Sequence, residues 1–352
     1  MKQTFVIALS LAACTTGADD LSPDVFGTVQ QHSNEATAGD NGADADNGAE
    51  QNNDGQQDNL SALRFAPESN IWWDAHTLAI APNARQAIMG MYYGTGTCWY
   101  DPESGYLGDE ANYTDCDDDV LLFSASGSLL TAGWDCDELK LINVGPDETY
   151  NVPGLLTATF AGDDVVAVSS IPAAGACTLS RFGADGHNTK SALPMALCET
   201  SPELVGDTER VLLVAGGQLW HLAGDQTAAI ADDVRTANVD RNTGNLMVVS
   251  QSAPEQVRAL TADGSTMWES TLTGPVDSIQ ALGDRGGWMM HVLGSGDAPG
   301  TMLAVSAADG ATWAEGVAWP GVTDWEVSHD GGLLAVAVGN RVVYQYRILD
   351  NE

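Results

Sequence analysis

The sequence is short of cations: its 352 residues include 13 lysines and arginines against 49 aspartates and glutamates, a formal net charge of -36 at pH 7. Lysine occurs only as Lys2, Lys140 and Lys190. Such a surface repels nucleic acid and anionic lipid headgroups, which excludes nucleic-acid binding and electrostatic adsorption to a membrane. The acidity itself has two readings. Carboxylates stay hydrated in a salty medium, where screening shortens their repulsion, or they collect cations.

Apolar runs long enough to cross a bilayer are also missing. The N-terminal run from Phe5 to Ala13 follows the charge of Lys2 and falls far short of the ~20 residues a spanning helix needs, so it reads as a leader. It ends in Leu11-Ala12-Ala13-Cys14, which resembles the lipobox of bacterial lipoproteins. The resemblance implies a signal peptide over residues 1–13, lipidation of Cys14 and attachment to the membrane through that anchor. Several acyl chains on one cysteine hold a protein stably where one chain does so only marginally. In such lipoproteins an Asp after the cysteine retains the protein at the inner membrane. Thr15 stands there instead, which implies the outer membrane, facing the periplasm or the cell surface. The alternative is a cysteine that closes an ordinary secretory leader.

Between Asp19 and Asp58 lie ten acidic residues, and no Lys or Arg follows Lys2 before Arg64. This Gly-, Asn- and Gln-rich segment buries too little apolar surface to offset its ordering entropy, so residues 14–60 are expected to be a disordered acidic tether. Its stretch DNGADADNG at 40 to 48 lacks the terminal Glu at EF-hand spacing.

No stretch beyond residue 60 keeps a helical period. Short runs of Val, Leu, Ala, Thr and Trp are broken every eight to twelve residues by Gly, Asp, Asn or Pro, the pattern of an all-β domain. Asp-Gly turns recur at Asp185, Asp263 and Asp309, with weaker copies at Asp101, Asp147, Asp225 and Asp350. The intervals are 46, 38, 40, 38, 46 and 41 residues, and a period near ~40 accommodates four short strands per unit. Residues 61–352 are therefore expected to form a seven-bladed β-propeller of four-stranded blades. Its last unit runs out of chain after three strands, so the ring is expected to be closed by the N-terminal segment, around Asn70-Ile71-Trp72-Trp73. Closure removes an exposed sheet edge.

The pair ALTADGSTMWES and AVSAADGATWAE resembles the repeats of quinoprotein-like propellers, a group that includes pyrroloquinoline quinone dehydrogenases and an outer-membrane assembly lipoprotein. VSHDGGLLAVAVGNRVVYQYRI resembles a WD40-type unit. The dehydrogenases use adjacent cysteines and calcium ligands; this chain has no adjacent cysteines, so the resemblance implies the fold and not the chemistry. Trp268 and Trp313 fall on expected outer strands, where large rings fill the space between blades.

Other chemical signals are sparse. There is no P-loop, H-E-x-x-H or G-x-S-x-G. His329 beside Asp330 reads as a base with its orienting carboxylate or, more simply, as part of a turn. Five cysteines remain beyond Cys14, with no zinc spacing, and an exported chain favours disulfides. The strand assignment gathers Cys98, Cys116, Cys136, Cys177 and Cys198 on one rim. Cys98 with Cys116 and Cys177 with Cys198 are the candidate disulfides, and Cys136 is odd. Asp115, Asp117, Asp118, Asp119, Asp135 and Asp137 lie on the same rim as candidate metal ligands. No cofactor is expected; calcium suits such oxygen ligands, and a solvated acidic edge is the alternative. Chemistry is expected among the loops near Cys98, Cys136 and Cys177. The functional expectation is an envelope lipoprotein whose propeller is a binding or scaffold module for a protein or small ligand. The alternative is an enzyme with a site at the channel mouth, a quinone-type oxidoreductase or metal-assisted hydrolase.

Overall fold

The structure, a computed structural model, describes residues 63–350 except 73–74, 83–85, 91–95, 102–105, 109–117, 125, 134–136, 143–147, 184, 207–209, 225, 295–297, 320 and 340–341. The leader, Cys14 and the tether lie outside the described residues.

Twenty-eight strands form seven four-stranded antiparallel sheets. The innermost strands, in ring order, are Ala75–Ile80, Asp118–Phe123, Leu155–Ala161, Glu203–Gly206, Val234–Val239, Val276–Ala281 and Val322–Val327. Each is followed outward by its second, third and fourth strands, as in a β-propeller.

The expectation of a seven-bladed ring closed by the N-terminal segment is corrected in two respects. Six sheets are complete blades of four consecutive strands; the seventh is composite. It contains Val322–Val327, Leu333–Val338 and Val342–Asp350, with Leu63–Trp72 hydrogen-bonded to the last of these. The strand that pairs there is longer than the stretch expected around Asn70 to Trp73, in register from Leu63 opposite Asp350 to Trp72 opposite Val342. The reason is the length of the final strand: nine residues offer a ladder that four cannot fill. The N-terminal strand sits at the outer edge of that sheet. At the axis, the composite sheet meets blade one through Asp324, whose Oδ2 accepts a hydrogen bond from the Leu78 amide at 2.7 Å.

Burial follows radial position. Second strands are sandwiched between neighbouring blades and read as continuous apolar runs, such as fully buried Val211–Ala215 and Leu246–Ser250. Fourth strands face water on alternate residues, as in Thr266–Thr271. The cores lie between blades; one joins Met247, Val249 and Val257 of blade five to Met290 and Leu303 of blade six.

The Asp-Gly turns connect third to fourth strands, and each Asp caps its own turn. Oδ1 of Asp185, Asp263 and Asp309 accepts the amide of His187, Ser265 and Ala311 respectively. The Thr261 hydroxyl and the Ser265 amide hold the Asp263 carboxyl below its usual range, and the Ala311 amide does the same for Asp309. In blade six the glycine has a second task. Trp268, on the fourth strand of blade five, donates from Nε1 to the Ala307 carbonyl at 3.0 Å and meets Trp288 edge-on. A Cβ at Gly310 would lie 2.8 Å from its ring. Trp268 and Trp313 thus pack into the successive interblade clusters.

The expected disulfide between Cys177 and Cys198 is present. It ties the third strand of blade three (Ala176–Phe182) to the short helix Met195–Cys198 that leads into blade four. Cys98 lies on the strand Gly96–Asp101, and Cys116 and Cys136 lie outside the described residues.

Two stability outcomes follow from these contacts. Gly186 and Gly310 both have positive φ, at 81° and 73°, but nothing surrounds Gly186 within 4 Å. Gly186→Ala carries the backbone strain alone, about 1 kcal/mol, whereas Gly310→Ala adds displacement of Trp268 and costs about 2–3 kcal/mol. Equal losses in urea denaturation would contradict the tryptophan's role. Removing the disulfide as Cys177→Ala with Cys198→Ala frees a loop of sequence separation 21 and lowers stability by about 2–4 kcal/mol, measured by the same denaturation.

Candidate functional site

The innermost strands belong to different sheets, so the edge each turns to the axis lacks a ladder partner and must bond elsewhere. Side chains supply the bonds from blade to blade. Thr157 Oγ1 of blade three accepts the Leu204 amide of blade four at 3.2 Å. Asn238 Oδ1 of blade five accepts the Ala281 amide of blade six at 3.0 Å. Gln280 of blade six accepts the Val327 amide at 2.9 Å and donates to the Trp325 carbonyl at 2.8 Å. Asp324 then reaches Leu78 as described above. Thr236 of blade five turns back, its hydroxyl donating to Glu203 Oε1 at 3.0 Å.

Three of these side chains, Glu203, Asn238 and Gln280, line an axial cavity of about 280 Å³. Its charged and ionisable lining is Glu203, Arg241, Glu326 and His329, with Asn238, Asn242, Gln280, Ser124 and Ser328 as neutral polar groups. Ile80, Leu122 and Ile279 contribute apolar wall. The lining comes from the final residues of the innermost strands and the turns after them. That is the end of the ring that also carries the Asp-Gly turns, because an antiparallel blade places its first and third turns on one face.

The cavity carboxyls are poised unusually. Burial pushes Glu326 up from 4.5 to about 8, the nearby Asp324 carboxyl pushes the same way, and the hydrogen bond from Gln280 opposes them. Asp324, just outside the lining, is raised by burial to about 7 against the opposing amides of Leu78 and Trp325. Glu203 is open to the channel as a residue, yet protein atoms ring its carboxyl and raise it to about 7, despite the hydroxyl of Thr236 and the charge of Arg235. In all three, desolvation of the charged form outweighs the donors that favour it.

His329 lines the cavity, but its neighbour Asp330 is committed to the turn. Asp330 Oδ1 accepts the Ser328 hydroxyl at 2.6 Å and the Gly332 amide at 2.9 Å, which with Ser328 first among the causes holds its carboxyl low. The pair is therefore not a base with its orienting acid.

The candidate metal ligands are not brought together among the described residues. Asp115, Asp117 and Asp135 fall outside them; Asp118 and Asp119 lie on the strand Asp118–Phe123. Asp137 has φ 54° and its Oδ1 accepts the Gly154 amide at 2.6 Å. Among the described residues no three His, Cys, Asp or Glu side chains form a metal-binding group. The cysteine-bearing turns join second to third strands, on the opposite face from the axial cavity. Sequence reasoning missed Glu203, Asn238, Arg241, Gln280, Asp324 and Glu326. Their signal is alternation of polar and apolar residues inside first strands, as in VTDWEV and VDSIQA.

The raised carboxyls set a pH dependence. Between about pH 4 and pH 8 the folded protein retains protons on Glu326, Asp324 and Glu203 that the unfolded chain has released. Their contribution is fully favourable below the unfolded values and is lost as pH rises through about 7 to 8. Glu326→Gln cannot ionise, so it matches the parent stability near pH 4 and exceeds it by about 1 kcal/mol or more at pH 9. Urea denaturation at both pH values checks this, and a variant equally destabilised at both would contradict it.

No family model matches the chain, and no curated protein matches it in sequence. Solved structures match its fold. Virginiamycin B lyase from Staphylococcus aureus has a TM-score of 0.61 at 10% identity, covering 82% of this chain and 100% of the lyase. A streptogramin B lyase gives 0.60 at 12% identity, covering 81% and 97%. A chain of the mitotic checkpoint complex gives 0.60 at 14% identity, covering 90% and 100%. Identities this low show the fold alone: the chain is an all-β propeller similar to proteins of different function.

Proposed function

We propose that this protein is an exported lipoprotein, anchored through Cys14, whose propeller is a binding module that takes a small polar molecule in its axial cavity. The carrying observation is the convergence of Glu203, Asn238, Arg241, Gln280 and Glu326 from four different sheets on one axial cavity. Concave sites with a few convergent polar groups and perturbed carboxyls are where ligands bind. The acidic spacer of residues 14–60 would hold the propeller clear of the bilayer, since like charges keep such a segment extended. The lyases contribute only the precedent of the fold, so no lyase chemistry is carried over.

The anchor and the site have separate tests. Radiolabelled palmitate enters the protein in a bacterial host and is lost in Cys14→Ala; unchanged labelling of that variant would remove the anchor. A fragment soak of crystals places small polar compounds in the axial cavity. Compounds bound only on the outer strands or the cysteine-bearing face would remove the site.

A further inference from the structure

The charges on the cavity wall narrow the ligand's chemistry. Arginines elsewhere in the ring tie the structure together. Arg210 donates to the carbonyls of Ala262 and Gly244, Arg235 to those of Val276 and Asp277, Arg258 to that of Asp232, and Arg285 to Ile348 and Asp350. Arg241 does none of this. It lies in the turn after the first strand of blade five, exposed at the cavity, and makes no hydrogen bond among the described residues. The adjacent carboxylate, Asp240, is spent on the Asn242 amide and the Thr243 hydroxyl. A guanidinium so placed is a ready partner for an acid group.

The carboxyls of Glu203, on the adjacent blade four, and Glu326, on the composite sheet two blades on, flank Arg241, and its charge already acts on Glu326. A ligand bearing only an acid would meet these two groups after crossing the field of a chain with net charge -36, and one bearing only a cation would compete with Arg241 for Glu326. A molecule with both charges offers a partner to Arg241 and to a neighbouring carboxyl and carries no net charge through that field. Ile80, Leu122 and Ile279 add an apolar wall suited to an aliphatic group.

We infer that the axial cavity takes a small zwitterion of the amino-acid type, with its carboxylate on Arg241 and its ammonium on Glu326. This rests on the reading of the cavity as a ligand site. The ligand ammonium binds the ionised carboxyl, so occupancy at neutral pH releases a proton from the wall to solvent.

The test is calorimetric titration of the full-length chain with a panel of α-amino acids led by L-leucine, alongside 3-methylbutylamine and 4-methylpentanoate. These two analogues lack the acid and the amine of leucine respectively. An amino acid of the panel is expected to bind, and each leucine analogue to bind about tenfold or more weaker than leucine, the loss of one charge-assisted contact. Arg241→Gln, at an exposed residue without structural bonds, is expected to weaken leucine about tenfold and leave 3-methylbutylamine unchanged. Glu326→Gln is expected to weaken both. If the amine binds as tightly as leucine, or Arg241→Gln changes nothing, the zwitterion assignment is overturned. The same holds if no amino acid binds while soaked fragments of other chemistry fill the cavity. If nothing occupies the cavity at all, the ligand-site reading falls with it.

Discussion

The free inward edge of seven innermost strands is the constraint on which the rest of this structure depends. Within a sheet, amides and carbonyls pair along ladders, but around the axis each sheet ends and the next begins at an angle that no ladder spans. The chain meets this with side chains at the first strands. Asn238, Gln280 and Asp324 form consecutive links, from blade five to six, from six to the composite sheet, and from there to blade one. Each link orders a side chain and partly desolvates it, in exchange for satisfying an amide that would otherwise be unpaired. Glycine supports the same joints: a Cβ on Gly206 would lie 1.9 Å from the Phe160 carbonyl, so blades three and four approach at a distance only glycine permits.

This joining chemistry divides the carboxylates of a very acidic chain into two populations. In the turns, Asp263, Asp309 and Asp330 accept hydrogen bonds at the protein surface and are held ionised. Near the axis, Asp324 and Glu326 also accept hydrogen bonds, but there burial dominates and the proton is retained toward neutral pH. The number of donors does not separate the two groups; depth does. Protonation at the axis also spares the ring from mutual repulsion between Asp324 and Glu326, two residues apart on one strand and facing the same side.

The outer architecture was legible in the sequence because it repeats. Asp-Gly turns must recur where glycine takes positive φ and aspartate caps the turn, so their spacing exposed the four-strand unit, and Trp268 and Trp313 marked the interblade faces. The pairing of Cys177 with Cys198 followed from the strand order those turns imply. The composite sheet was harder. Its N-terminal strand, LRFAPESNIW, contains Pro67 and Glu68 and lacks a clean alternation, and its register breaks between Pro67 and Ser69. The site was least legible of all. Glu203 and Glu326 are 123 residues apart in sequence, and what makes each unusual is enclosure by other blades, a property no local pattern records.

The fold also decides where buried polar groups can sit. Second strands, pressed between two neighbours, are apolar on both sides, as in Leu333–Val338. Fourth strands alternate toward bulk water, where a carboxylate is solvated and its pKa stays ordinary or falls. First strands alone combine partial burial with an unmet need for hydrogen bonds, so polar residues there are both tolerated and required. Their side chains necessarily point to the axis or to the next blade, and the ring brings them together from positions scattered along the whole chain. A propeller therefore concentrates buried polarity at its centre as a consequence of closing. The polar groups gathered there have joining one blade to another as their first task, while Arg241 beside them makes no hydrogen bond among the described residues.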